Sequence, residues 1–385
     1  MKKSVLITGP IGESGGREIE AGYMTAALLN SNIKVQILST AYLTYDSQIA
    51  SCVPNKIISS INKELYKNYF LIQIISVLAW FKNFFKLKPY AYAGNKVSKR
   101  FFNYEDKVDV ILKKSISEAD AVIFLGQLSS NYCEKIIDLT KSLGKKYFFR
   151  TTGKIEPNQK FNSYLKNVTA FLHHSNQNLM PEILDLNPNY KILDQTAIDE
   201  EKFLQIPILE RPVRRFILVG DVSEHKGTNT VLEYFKRVNK LNDEIYILGD
   251  GELRGKLENK YEGDENIIFM GKRPHSELAS ILDKMDCLII GSKSETGPYV
   301  GIEAMAGGRV ILSTRVGAME NRLKNTQNDF WFERDNFNSF ENQFIRLKNL
   351  KRNEIRAISY RNRQKYLNCY SNKVLTKSLI QIITS

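Results

Sequence analysis

The chain has 385 residues, enough for two domains or three, and its 43% hydrophobic and 25% charged content is that of a globular protein, which excludes a disordered or fibrous class. Its four cysteines, Cys52, Cys133, Cys287 and Cys369, are far apart, with no CxxC and no Cys/His cluster, so neither a zinc site nor a disulfide frame is supported and a reducing cytoplasm fits. A net charge of +13 points to an anionic partner or surface, yet no nucleic-acid recognition motif is present, and nucleic acid is not expected as a partner.

The opening MKKSVLITGPIGESGG has too short an apolar run for a signal peptide. Ser4–Thr8 reads instead as a first strand, followed by a glycine-rich loop over Gly9–Gly16. A helix is predicted over Arg17–Asn30, with Ile19, Tyr23, Ala26, Ala27 and Leu28 on its apolar side, and a second strand over Val35–Ser39. Strand, glycine loop, helix and strand open a βαβ unit, and the glycines allow a ligand to approach the backbone closely. The spacing of Gly12, Gly15 and Gly16 is not the G-x-G-x-x-G dinucleotide fingerprint, and a turn that merely needs glycine is the alternative reading.

Residues 61–100 hold much of the charge excess. Lys63, Lys67, Lys82, Lys86, Lys88, Lys96, Lys99 and Arg100 stand there against a single acid, Glu64. Within this region Tyr69–Phe85 is strongly apolar but falls short of the ~20 clean residues of a membrane span. Its aromatics cluster at the ends and lysines follow, which suits a helix lying on an anionic membrane surface; an ordinary packed helix is the alternative. Apolar runs at Ala121–Leu125, Lys146–Arg150 and Ala170–His174 then alternate with helical stretches, as in a parallel sheet. The pattern loosens over Asp194–Pro207, which places a domain boundary near residue 205. It restarts with Arg215–Val219, Glu244–Leu248, Ile267–Met270, Cys287–Ile290 and Val310–Ser313, and from about Phe340 the chain reads as helix.

The most informative stretch is Ser294–Gly308, SETGPYVGIEAMAGG. A buried strand precedes it, Gly291, Gly297 and Pro298 break regular structure, and a short helix over Val300–Ala306 is stopped by Gly307 and Gly308. Glu295 sits at the loop and Glu303 about one turn into the helix. Both can face a ligand held at the helix N-terminus, where free N–H groups and a positive dipole favour phosphate. A carboxylate accepts hydrogen bonds from two vicinal hydroxyls, so carboxylates beside such amides suggest a nucleotide-sugar site.

Between Phe216 and Ala318, FILVGDVSEHKG, YILGDGELRGKLE, IIFMGKRPHSEL, the Glu295/Glu303 pair, EAMAGG and STRVGA follow in order. Together they resemble the family-four retaining glycosyltransferases of the GT-B fold. GPIGESGG and KILDQTAIDEEKF match the family more loosely. The resemblance implies an α/β, GT-B architecture of two doubly wound Rossmann-like domains facing across a cleft: an acceptor-side domain over 1–205, a nucleotide-sugar domain over 206–365, and a terminal helix, 366–385, returning to the first. It implies that Glu303 binds ribose hydroxyls, that Glu295 contacts the donor sugar, and that Lys226 holds the diphosphate, Glu295 and Lys226 being the catalytic candidates. Backbone at Gly297, Tyr299 and Val300 would meet the sugar and distal phosphate, the loop Gly271, Lys272, Arg273 the base, and Gly15 and Gly16 the diphosphate from the first domain. The donor would be a UDP- or GDP-linked substrate, with no cofactor; no D-x-D closes a strand, and no metal is expected.

Three positions depart from the family pattern. Asp221 replaces an arginine, so that Arg214, Arg215 or Arg17 would have to substitute or Asp221 point away. Val310 replaces a proline. The loop expected after Lys146–Phe149 reads Arg150-Thr151-Thr152-Gly153 with no histidine, leaving His173 and His174 as candidates. The leading expectation is a transferase that moves a sugar onto a surface polysaccharide or lipid-linked glycan, as in capsule or lipopolysaccharide, in the cytoplasm and peripheral to the inner face of the plasma membrane. The alternative is a catalytically silent nucleotide-sugar-binding partner subunit. A nucleotide-sugar epimerase can share the fold, and the Glu295–Gly308 pattern argues against it.

Overall fold

A computed structural model describes residues 3–13, 15–153, 162–239 and 243–384. The chain forms two compact units: Met1–His173, Leu179–Ile192 and Ser378–Ser385 make the first, and His174–Asn178 with Leu193–Lys377 the second. The chain passes into the second unit at Leu193, ahead of residue 205, because the loosened stretch is bonded there. Asp194 pairs with buried Arg322, and the Thr196 hydroxyl bonds Tyr366 and Asn372. The last helix gives only its turns from Ser378 to the first unit.

The first unit is built on a seven-stranded parallel sheet. Its strands are β1 (Ser4–Gly9), β2 (Lys34–Ser39), β3 (Ile58–Ser60), β4 (Ala121–Gly126), β5 (Lys146–Thr151), β6 (Ala170–His173) and β7 (Tyr190–Ile192), in the order β3-β2-β1-β4-β5-β6-β7. The central strands are buried on both faces, as helix-covered parallel strands are; Val5, Leu6, Ile7 and Thr8 have almost no exposed surface. In register, Phe124 lies opposite Phe149 and Phe149 opposite Phe171, so three rings on neighbouring strands make one aromatic ladder. Helices α1 (Gly16–Asn30), α2 (Ile61–Asn68), α3 (Phe70–Lys82), α4 (Tyr104–Ser117) and α5 (Cys133–Ser142) follow the crossovers.

Helix α1 buries Ala27 and Leu28 of the apolar side that was expected, but is turned away from the rest of it. It buries Glu18, Glu20, Ala21, Gly22, Met24, Thr25, Ala27 and Leu28, while Ile19, Tyr23 and Ala26 are only partly covered. Charge chemistry drives the rotation. Glu18 accepts from the Gly12 N–H at 2.7 Å, and Glu20 pairs with Arg150, whose guanidinium is fully buried in β5. Arg150 and Thr151 are therefore strand residues, not members of the loop that the sequence suggested. A charge so deep persists only when paired and hydrogen-bonded.

The second unit holds a six-stranded parallel sheet: β8 (Arg215–Val219), β9 (Glu244–Leu248), β10 (Ile267–Gly271), β11 (Cys287–Ile290), β12 (Val310–Ser313) and β13 (Phe330–Trp331), in the order β10-β9-β8-β11-β12-β13. Around it lie α6 (Thr228–Val238), α7 (Leu278–Lys284), α8 (Tyr299–Ala306), α9 (Phe337–Lys348), α10 (Arg352–Cys369) and α11 (Asn372–Thr384). Its core includes Phe216, Phe235, Phe340 and Phe344. In both sheets the strand order reverses beside the first strand, between β1 and β4 and between β8 and β11. Loops leaving the carboxyl ends on either side of such a reversal diverge and leave a crevice.

Candidate functional site

In the second unit the loops after β8 and β11 flank this crevice, and they are bonded to each other. The Lys293 N–H donates to the His225 carbonyl at 2.8 Å, and His225 Nε2 lies 2.7 Å from the Ser294 carbonyl. Gly227 has φ 71°, and a Cβ there would lie 2.2 Å from the Gly291 carbonyl oxygen. Only glycine allows this approach.

The junction brings Lys226 and Glu295 together. The Lys226 ammonium donates to Glu295 Oε1, which also accepts from Ser292 Oγ at 2.9 Å. Both side chains remain part-exposed, at 32% and 17%. Helix α8 begins at Tyr299, and Pro298, at the position before its first residue, starts the turn. The loop ahead of it is held from several sides. The Thr296 carbonyl accepts from Ala318 N–H and from Asn178 Nδ2, at 3.0 and 3.1 Å. The Pro298 carbonyl accepts from Arg322 at 2.6 Å, and Arg322 is itself clamped by Asp194 and Gln195. Gly297 is packed so closely that an added Cβ would meet Arg322 at 2.8 Å and His174 at 3.0 Å. The Tyr299 hydroxyl donates to the Thr196 carbonyl, and Val300 is half-buried in the first turn.

Glu303 lies one turn further along and is 2% exposed. Its Oε1 bonds His275 Nε2. His275 opens the turn that follows β10, with Pro274 between it and Gly271, Lys272 and Arg273. The tertiary structure thus joins the loop expected to meet a base to the carboxylate expected to meet a ribose. Gly271 has φ 68° and faces the Arg254 guanidinium, whereas Lys272 and Arg273 are exposed. Burial pulls the His275 imidazole down, but the hydrogen bond and charge of Glu303, helped by Asp199, outweigh it and raise it above its ordinary value.

The two histidine candidates separate. His173 ends β6, stacks on Phe171 and lies 3.3 Å from the Thr151 hydroxyl, as a continuation of the buried aromatic ladder. His174 belongs to the second unit and lies against Gly297. Asp221 is exposed and leans towards Gly251 of the loop after β9, with Oδ1 2.8 Å from where a Cβ at Gly251 would stand. Arg214 and Arg215 cannot stand in for the missing arginine, because they lie at the amino end of β8, where Arg215 bonds the Lys284 carbonyl. Arg17, in the first unit, is held by the Pro10 carbonyl and Thr152.

In the first unit, Gly15 has φ 141° at the start of α1, and its N–H donates to Gln48 Oε1 at 2.8 Å. Gly16, the first residue of α1, is exposed. Ser14, between the loop and these glycines, lies outside the described residues. His275, Ser292, Asp194, Gln195 and Arg322 are site or supporting residues that the sequence reading passed over. Of these only His275 carried a signal, as a histidine two residues beyond the base-side loop.

Residues 213–349 match the family described as Glycosyl transferases group 1. An uncharacterised glycosyltransferase of Methanocaldococcus jannaschii is 27% identical over 135 residues, 34% of this chain and 38% of that protein. The UDP-Gal:alpha-D-GlcNAc-diphosphoundecaprenol alpha-1,3-galactosyltransferase of Escherichia coli is 24% identical over 210 residues, 50% of this chain and 54% of the relative. The chain thus spans about half the length, or less, of the curated relatives it matches. Among solved structures, a glycosyltransferase from Rickettsia africae has a TM-score of 0.71 at 14% identity, covering 99% of this chain and 98% of the other. Anabaena HepE in complex with UDP has a TM-score of 0.67 at 9% identity, with 99% of each chain covered. The fold is GT-B, with two parallel-sheet, Rossmann-like units.

Proposed function

We propose that this protein is a retaining, metal-independent glycosyltransferase whose second unit binds a nucleotide-sugar. The observation that carries the reading is the convergence of Lys226, Glu295, Glu303 and the N-terminus of α8 at one strand-order reversal. Its neighbours support the donor class: HepE is seen with UDP and with UDP and glucose, and the E. coli relative is named for a UDP-linked galactose. The E. coli relative's diphosphoundecaprenol acceptor also supports a lipid-linked glycan here.

In this reading Glu303 accepts hydrogen bonds from the ribose hydroxyls, and Glu295 from hydroxyls of the donor sugar. The backbone of Gly297, Tyr299 and Val300 receives the sugar and distal phosphate, while Gly271, Lys272 and Arg273 border the base. When the bond from the sugar C1 to the β-phosphate oxygen breaks, negative charge collects on that oxygen. Lys226 and the amides of α8 stabilise it. The acceptor hydroxyl attacks C1 from the side of departure, and its proton passes to the leaving phosphate oxygen. Retention then needs no covalent carboxylate; positioning and electrostatics do most of the work. Before the donor arrives, Glu295 holds the Lys226 ammonium in place and offsets its charge.

Metal-free calorimetry against UDP, GDP, ADP and their common sugar conjugates tests the donor site. One nucleotide should bind, and Glu303→Ala should weaken it by about ten- to a hundredfold, the scale of hydrogen bonds to a charged group. Turnover with that donor should fall by about 10²–10³ in Lys226→Ala. Tight binding without turnover in the wild type would favour the silent-partner reading, which Asp221 motivates. No binding by any nucleotide would sink both.

A further inference from the structure

Helix α3 is attached to the first unit by one narrow side. Ile72 and Ser76 are buried, Ile72 within the hydrophobic core of the unit. On the other side Phe70, Leu71, Ile74, Leu78 and Phe81 are all exposed, Phe70 at 73%. At 100° per residue these five positions fall within one face about 100° wide. The chain beyond continues that face. Every residue from Phe81 to Lys88 is exposed, and Phe84 reaches 83%. Phe84 and Phe85 take φ of 53° and 60°, a left-handed conformation that bulky side chains rarely adopt. The turn is closed by Phe84 N–H to the Phe81 carbonyl and Phe85 N–H to the Trp80 carbonyl. Backbone strain is thus accepted to hold a phenylalanine outward in water.

Charge specifies what covers this face. Between Glu64 and Glu105 the sequence has no acidic residue and seven basic ones: Lys67, Lys82, Lys86, Lys88, Lys96, Lys99 and Arg100. Lys82, Lys86 and Lys88 alternate with Phe84, Phe85 and Leu87 in the exposed turn. Val97, Lys99, Arg100 and Phe101 repeat the mixture on the short helix Lys96–Phe101. A protein partner would need a surface both apolar and acidic. A bilayer offers both as a matter of course, with acyl chains for the rings and anionic headgroups for the lysines. The helix has 13 residues, and among the described residues no helix is long and apolar enough to cross a membrane.

We propose that α3 and the turn Phe81–Lys88 bed into the surface of an anionic bilayer, with Phe70, Ile74, Leu78, Phe81, Phe84 and Phe85 below the headgroups. The anchor is tied to the carboxyl edge of the first sheet. Lys88 N–H donates to the Tyr42 hydroxyl at 3.2 Å, the Tyr90 hydroxyl donates to the Leu43 carbonyl at 3.0 Å, and the two tyrosine rings stack. Tyr42 and Leu43 lie in the loop leaving β2. Docking therefore brings lipid alongside the sheet edge where ligands of such folds are held. This inference stands apart from glycosyl transfer, because it is measured on the protein without donor or acceptor.

The test is cosedimentation of the whole protein with vesicles of phosphatidylcholine alone and with about one-third phosphatidylglycerol, at low and high salt. Binding is expected to the anionic vesicles and to weaken as salt is raised. Lys82→Ala/Lys86→Ala/Lys88→Ala should weaken it about a hundredfold, and Phe81→Ser/Phe84→Ser/Phe85→Ser by at least as much. Both variants alter exposed side chains, and an unchanged thermal midpoint confirms that they fold. No binding to anionic vesicles, equal binding to neutral ones, or wild-type binding by both variants would overturn the proposal. So would light scattering that shows a dimer split by the phenylalanine variant, which would assign the face to a second copy of the chain.

Discussion

The residue that ties the candidate site together is His275. It holds Glu303, and the carboxylate in turn keeps the imidazole above its ordinary value against the pull of burial. A group raised in the folded state contributes stability in full below its unfolded value, here 6.5, and loses it as pH climbs through the folded one. The thermal-midpoint gap between wild type and His275→Gln should therefore be widest below pH 6.5 and close as pH rises. A gap that does not change with pH would mean that the pair is neutral throughout. Nucleotide that takes Glu303 removes the partner of the imidazolium, so its affinity should rise over the same interval in the wild type and stay flat in the variant. From its place in the helix Glu303 was expected to face a ligand, and the structure shows it buried against His275. That partner was not readable, because 27 residues separate His275 from Glu303 and no local pattern spans them.

Among the elements, the paired loops after β8 and β11 decide whether Lys226 meets Glu295. Their contact depends on Gly227, where both φ and the Gly291 carbonyl exclude a side chain. Gly227→Ala should prise the loops apart. The expected result is a lowered thermal midpoint together with a nucleotide affinity reduced at least tenfold, the size of one lost hydrogen bond to a charged group. Gly255→Ala, at a helix position where an added Cβ meets nothing, should change neither. Equal behaviour of the two variants would remove the loop contact from the account. The strands and helices that build this arrangement were legible as apolar runs between glycine loops. The edge strands β3, β7 and β13 were not: at two or three residues they are too short for a period to show, and Tyr190–Ile192 is wholly exposed. Helix α1 was legible as a helix but only partly in its facing, because two of its buried residues are glutamates satisfied by Gly12 and Arg150 from elsewhere in the unit.

At the scale of the whole molecule, each unit has its own core and, conveniently, its own tryptophan: Trp80 in the first, Trp331 in the second. Unfolding of such a chain is not assured to be a single step. The variants Trp331→Phe and Trp80→Phe leave one reporter each. Nucleotide at a hundred times its Kd should stabilise the transition seen by Trp331 by about 2.7 kcal/mol. A shift confined to the Trp80 signal would place the nucleotide on the first unit and contradict the proposed site. The charge of the molecule is likewise a property of one part, since the basic excess gathers on the unit that carries the exposed aromatic face.

Hydrophobic periodicity and glycine placement in the sequence were enough to determine two parallel α/β units and the loop–helix element around Glu295 and Glu303. These signals are local, and each is set by residues a few positions apart. Tertiary structure alone decided that Lys226 pairs with Glu295, that Arg150 is a buried strand residue, and that His174, not His173, lies against Gly297. It also decided that α3 leaves its phenylalanines in solvent. The physical reason is the same in each case: a buried charge or an exposed ring is defined by partners that the fold brings from distant positions, and the sequence around it is the same whether or not they arrive.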